Sequence, residues 1–219
     1  TRRNYILDRM YKLAYIDAET HAAARNEEDT GKLHVVQTGA QAPWVAEMVR
    51  DEMVRRFGQE AYTSGSEVVT TLDTGRQAAA NAALRSALLD YSKRHGYRGP
   101  EAQARLEGKE PGDWPGLLRD HPVRGGLSAG LVVQVEEKAV QVLLRSGETI
   151  GIDWDGLSWA RPYKSANRKG AELKAAADIL AVGDIIRVEA GEEGKWLLAQ
   201  VPQAQGALVS LRPQDGAIV

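Results

Sequence analysis

From Gly130 onward the chain alternates apolar and polar residues in short bursts. Val133 and Val135 stand against Gln134 and Glu136, and Val140 and Val142 stand against Gln141. A period of two is what a half-buried strand requires, because successive side chains leave opposite faces. Three further short β-rich runs follow: Glu148–Asp153, Gly183–Glu189 and Lys195–Val201. Tight turns are expected at Ser146-Gly147 and Glu193-Gly194. Ala171–Asp178, rich in alanine, can supply one helix between the third and fourth runs. Five strands with a single helix after the third is the order of an OB-type barrel. The chain is therefore expected to be α+β, with helical connector segments and a five-stranded OB-like β-barrel.

Ahead of the barrel the period changes to that of helices. Residues 2–15 place Ile6, Met10 and Leu13 on one face. Asp17 can cap a short second helix from Ala18 to Arg25. Asn26 to Gln41 is polar and reads as a linker. Pro43 suits the first turn of a third helix with an apolar stripe of Val45, Met48, Val49 and Phe57. Gly65–Leu72 is β-branched and predicts a strand. Asp73 then caps a fourth helix, about Arg76 to Tyr91, whose buried face would hold Ala80, Ala83, Leu84, Ala87, Leu88 and Tyr91. The glycines and proline of Arg94–Glu101 exclude helix there. A polar, proline-containing segment leads to the barrel. After it, Asp215-Gly216 between apolar residues predicts a hairpin within Gln205–Val219.

Charge and composition narrow the chemistry. The 28 Lys and Arg against 30 Asp and Glu leave a net charge of −2. Gly130–Val201 itself holds 9 basic and 11 acidic residues. No overall positive field is available to gather nucleic acid. No cysteine is present, which removes disulfides and thiolate catalysis. The four histidines are scattered and no cysteine can join them, so a zinc site is not expected. Thr30-Gly31-Lys32 lacks a phosphate loop, and no nucleotide fingerprint follows a strand. No cofactor is called for. Neither Ser-x-x-Lys nor Lys-Thr-Gly occurs. Asp153 and Asp155 flank Trp154, which is read as a turn after the third strand. Trp154, Trp159, Tyr163 and Trp196 cluster in or near the barrel, where core packing or a protein-contact surface suits them. Trp159, Arg161 and Tyr163, beside the basic loop Arg161–Lys164 and Arg168-Lys169, form the candidate docking patch, since Trp, Tyr and Arg anchor interfaces.

Several separated stretches resemble the class A penicillin-binding proteins. Arg2-Arg-Asn-Tyr-Ile-Leu-Asp-Arg-Met10 is similar to the end of their glycosyltransferase domain. Ala42–Glu52, Arg56-Phe-Gly58 and Gly65–Asp73 resemble the connector between their two catalytic domains. Arg94-His-Gly-Tyr-Arg-Gly-Pro-Glu101 is similar to a signature of one branch. Gln205–Ile218 looks like the first hairpin of the transpeptidase domain. The resemblance implies a division at 1–42 (end of the glycosyltransferase domain and linker), 43–122 (connector), 123–202 (OB-like docking domain) and 203–219 (transpeptidase hairpin). It implies a parent synthase at the periplasmic face of the inner membrane, polymerising glycan strands and cross-linking stem peptides through an acylated serine. The barrel would be an insert that docks an outer-membrane lipoprotein activator. The family's membrane anchor and glycosyltransferase glutamates would precede Thr1. Its Ser-x-x-Lys, Ser-x-Asn and Lys-Thr-Gly would follow Val219. The chain then reads as an excised, non-catalytic middle segment. The rival reading, from the residues alone, is a stand-alone OB-type module for single-stranded nucleic acid or glycan.

Overall fold

The computed structural model describes residues 2–27, 40–191 and 194–219. They fall into two compact units, Thr1–Gly39 and Ala40–Val219. In the first, α1 (Arg2–Lys12) and α2 (Ala18–Asn26) form a helical hairpin. Asp17 caps α2, its carboxylate accepting the Thr20 N–H at 2.8 Å. The expected Ile6–Met10–Leu13 stripe does not form the contact. Ile6 and Leu13 are exposed, and Leu13 lies beyond the helix end. Polar groups join the helices instead. Asp8 meets His21 and Arg25, each at 2.8 Å, and Tyr11 stacks on His21. The His21 hydrogen bond, with the Arg25 charge beside it, holds the Asp8 carboxyl below its usual range. Most of the expected linker, residues 28–39, lies outside the described residues.

Eight strands are described in the second unit: β1 (Ala102–Gln103), β2 (Ser128–Val135), β3 (Ala139–Leu144), β4 (Thr149–Asp153), β5 (Tyr163–Ser165), β6 (Arg168–Lys169), β7 (Asp184–Ala190) and β8 (Trp196–Ala199). The main sheet is ordered β1-β7-β2-β3-β4, with β8 also on β7, and all its pairs are antiparallel. The five expected runs are thus five of its six strands. Gly147 turns β3 into β4 at φ +88°. β4 and β8 approach each other with the one-turn helix α5 (Trp154–Leu157) packed on both. The result is a strongly curled OB-like sheet.

Both faces of that sheet are buried. Inside lie Val132, Val140, Val142, Ile152, Leu157, Ile186, Val188 and Leu198, each with no exposed surface. Burying side chains of this size is worth roughly 1.5–3 kcal/mol each. Outside, Leu131, Leu143 and Ile185 are covered by Leu118 and by Trp114 and Leu117. These belong to a 3₁₀ helix, Pro111–Leu118, in the segment read as a polar lead-in. The register slips between Val132 and Gln134. That bulge changes the phase of β2, so Val133 packs outside while Val135 packs inside, against the simple alternation. The helix expected at Ala171–Asp178 is only a 3₁₀ turn, Ala176–Asp178; the Asp178 carboxylate accepts the Lys174 and Ala175 N–H groups. The short helix after the third run is α5, directly at the end of β4.

Two longer helices precede the sheet, α3 (Pro43–Phe57) and α4 (Thr74–His95). Asp73 caps α4 by accepting the Arg76 N–H at 2.8 Å. This helix is longer than expected and includes Arg94 and His95. Its buried residues are Leu89 and Ser92; Ala83, Ala87 and Tyr91 are exposed, while Ala80, Leu84 and Leu88 are half-buried. Leu89 turns toward Leu127, Ala199 and Val201, so the docked face is rotated from the predicted one. Gly65–Leu72 is not a strand. No described strand pairs with it, and its Thr71 hydroxyl donates to the Ile218 carbonyl at 2.7 Å. The Asp215-Gly216 turn is present, closed by an Arg212–Ala217 hydrogen bond and a single Leu211–Ile218 bridge.

Candidate docking site

After α5 the backbone makes two tight turns and runs beside Tyr97. The Tyr97 N–H donates to the Arg161 carbonyl, and the Tyr163 N–H donates to the Tyr97 carbonyl, both at 2.8 Å. Tyr97 and Pro162 form a parallel bridge. Gly96 permits this approach: it has φ +100°, and a Cβ there would sit 2.6 Å from the Arg161 oxygen. Beyond the bridge, β5 and β6 form a small hairpin of their own.

The three predicted docking residues sit together at the base of that hairpin. Trp159 is half-buried; its indole N–H donates to the Leu198 carbonyl at 3.1 Å, and its ring meets Tyr97 edge-on at 6.0 Å. Arg161 spends Nε and Nη2 on the Gly170 carbonyl, at 2.9 and 2.7 Å, closing the hairpin's base. Its Nη1 lies 3.7 Å from Glu172. Tyr163 is 37% exposed, with the Arg98 guanidinium 4.3 Å above its ring. Trp154, Trp159 and Trp196 all pack on the inner core, and Lys138 covers the Trp154 ring at 4.0 Å. Asp153, at the end of β4, and Asp155, within α5, are both exposed, and the turn expected after the third strand is the one-turn helix α5.

Side chains the sequence reading passed over anchor this region. The Gln200 amide donates to the Gly96 carbonyl at 2.8 Å and the Ser92 hydroxyl at 3.0 Å, and accepts the Arg98 N–H at 2.9 Å. It ties the end of α4 to β8. Arg187, only 1% exposed, reaches Glu101 at 2.7 Å and the Pro122 carbonyl at 2.6 Å. That bond, with further help from His121, holds the Glu101 carboxyl below its ordinary range. Burial pushes the Tyr97 phenol upward. Gly96 directly after a basic helix end was the one available sign of this junction.

Two short spacings invite a catalytic reading, and the fold gives them other roles. Gly126-Leu-Ser128-Ala-Gly130 has the nucleophile-elbow spacing, yet an elbow is a strand-to-helix turn. Ser128 instead begins β2 and pairs with Val188. Ser165-Ala-Asn167 has a Ser-x-Asn spacing, but it occupies the exposed tip between β5 and β6. A cleft of about 750 Å³ lies between α3 and Ser66–Leu72. It is mostly apolar, lined by Val45, Met48, Met53, Phe57, Val68 and Leu72 among others. Among the described residues no group of His, Asp and Glu is placed to hold a metal. No described helix is long and apolar enough to cross a membrane.

Comparison with known proteins agrees with this architecture. Residues 97–204 match the penicillin-binding protein OB-like domain family. Penicillin-binding protein 1A of Pseudomonas aeruginosa is 44% identical over 99% of this chain, and that of Escherichia coli is 35% identical over the whole of this chain. The chain spans about a quarter of each relative, 26% in both cases. A crystal structure of penicillin-binding protein 1A from Haemophilus influenzae superposes with a TM-score of 0.74 at 35% identity, covering 99% of this chain and 30% of that one. Sequence and three-dimensional likeness agree along nearly the whole length of this chain, and the chain belongs to the penicillin-binding protein 1A family.

Proposed function

We propose that this chain is a non-catalytic middle segment of a bifunctional peptidoglycan synthase facing the periplasm. Its parent polymerises glycan strands and cross-links stem peptides; this part connects and regulates. The observation that carries the reading is that almost all of the chain aligns with only a quarter of the penicillin-binding protein 1A relatives. Two features support it. Neither Ser-x-x-Lys nor Lys-Thr-Gly is present, so the acylation machinery of a penicillin-sensitive site has no residues here. The OB-like sheet is packed on both faces, the outer one covered by the Pro111–Leu118 helix, which suits a rigid platform better than a reaction chamber.

In this reading α3, Gly65–Leu72 and α4 couple the flanking catalytic domains. The OB-like domain docks a regulatory outer-membrane lipoprotein, with Trp159, Arg161 and Tyr163 near the contact. Trp159 and Arg161 set the base of the β5–β6 hairpin, and Tyr163 offers the open surface. A fluorescent β-lactam tests the non-catalytic part. The chain is expected to take no label under conditions that label intact penicillin-binding protein 1A. Stoichiometric covalent labelling of the chain would overturn it.

A further inference from the structure

Charge is unevenly placed on this near-neutral chain. Lys93–Arg98 and Arg161–Lys169 together hold seven Lys and Arg and no Asp or Glu, while the whole chain carries −2. The Tyr97–Pro162 bridge lays these two stretches side by side. Two of the seven cations are engaged at the base: Lys93 lies 3.7 Å from Glu189, and Arg161 the same distance from Glu172. Arg98 lies over Tyr163. Arg94, Lys164, Arg168 and Lys169 are exposed and form no ion pair among the described residues. A cationic ridge with one aromatic ring in it therefore projects from the domain.

Holding like charges together raises the energy of the free protein, and an anionic partner relieves it. Three kinds of anion could do so, and the ridge's makeup favours one. An OB face that binds single-stranded nucleic acid offers exposed stacking rings. Here Trp154, Trp159 and Trp196 are packed on the core, and the outer sheet face is covered by Pro111–Leu118. A lipid surface is met best by apolar side chains inserted beside the cations. The hairpin from Tyr163 to Lys169 carries no large apolar side chain besides Tyr163. Arg and Tyr together, rimmed by lysine, are the mix that protein interfaces use. We infer that the ridge of Arg98, Tyr163, Lys164, Arg168 and Lys169 receives an acidic protein surface. This rests on the docking reading above and gives its partner a chemistry.

Two measurements separate the inference from that reading. In the first, the chain is titrated with a fluorescein-labelled peptide of alternating Glu and Gly, with phosphatidylglycerol vesicles and with oligo-dT. Peptide binding is expected at low salt, weakening about tenfold on raising salt to physiological strength. The double variant K164E/K169E, at two exposed positions, is expected to abolish it while leaving the melting temperature unchanged. No peptide binding by the unaltered chain, or preference for vesicles or oligo-dT, would overturn the inference.

In the second, a photo-crosslinking residue replaces Ser165 in the full-length parent in cells. Capture of an outer-membrane lipoprotein, lost with K164E/K169E, supports both proposals. Capture of that lipoprotein from other positions of the OB-like domain, indifferent to the charge reversal, would keep the docking reading and sink the ridge. Peptide binding to the ridge with no lipoprotein captured from any position keeps the ridge and sinks the docking reading.

Discussion

Val132 and Val69 sit in similar β-branched runs, and the fold treats them oppositely. Val132 is 0% exposed within the OB-like core, and Val69 is 88% exposed on the Ser66–Leu72 stretch. The same contrast holds between whole regions. The sheet β2–β3–β4–β7–β8 satisfies its own backbone through ladders and buries apolar side chains on both faces. α3 has no buried residue, exposes Trp44 at 84%, and borders an apolar cleft. The sheet of the first region finds its packing partners inside this chain. The other presents an apolar surface of the kind that marks contact with further polypeptide. Stability should therefore be concentrated in the first region, and substitutions test that directly.

The largest contrast is between truncations in the two regions. Ile186→Ala removes a side chain with no exposed surface from the middle of β7. A cost of about 2–5 kcal/mol is expected, since the surrounding strands cannot close over the gap. Val69→Ala should change stability by less than ~0.5 kcal/mol. Urea denaturation of the two variants measures both. Equal losses would mean that the exposed run contributes to the same cooperative core, contrary to its lack of strand pairing.

A smaller effect concerns the ion pair that fastens β1's approach to β7. Arg187 is almost wholly buried, while the Glu101 side chain retains 26% exposure. Glu101→Gln should cost about 2 kcal/mol at neutral pH, below the roughly 3–5 of a fully buried broken pair. The pH dependence has a definite sign. Arg187 depresses the folded carboxyl below its ordinary 4.5. The stabilisation is thus complete above about pH 4.5 and is lost as pH falls through the lower folded value. His121 and Arg124 face the same carboxylate and act in the same direction. Denaturation midpoints of both proteins across acid pH should converge. A constant gap would assign the loss to packing alone.

These contrasts also explain what the sequence could convey. The five long runs were legible because each is rich in β-branched and other apolar residues and bounded by turn residues, with alternation plain at Val140 and Val142 and at Ile150 and Ile152. β1, β5 and β6 have two or three residues and no apolar period to detect. The Pro111–Leu118 helix read as part of a polar lead-in because two prolines and a short 3₁₀ turn leave no helical stripe. Arg187 alternates with Ile186 and Val188, so pattern alone assigns it to solvent; only the covering segment Glu101–Leu127 makes it interior. The Gly65–Leu72 prediction failed for the converse reason. β-branched composition is a fitness for pairing, and pairing needs a neighbouring strand. Trp159, Arg161 and Tyr163 could be singled out by residue type, whereas their juxtaposition depended on Gly96 letting the chain at Tyr97 run beside Pro162.

The smallest effect probes the seam between the two regions, at the start of α4. Asp73 follows the unpaired run and caps a helix whose far end is locked by Gln200. Asp73→Ala removes the acceptor for the Arg76 N–H and should cost about 1 kcal/mol. In a chain of this size that lowers the melting temperature by roughly 2–4 °C. Hydrogen exchange locates the loss. If the OB-like domain is the stable unit, protection should fall in the first turns of α4 and stay unchanged around Leu89 and in β7. Loss of protection spreading into β7 would mean that α4 transmits change along its whole length, joining the α3–α4 region and the OB-like domain into a single cooperative body.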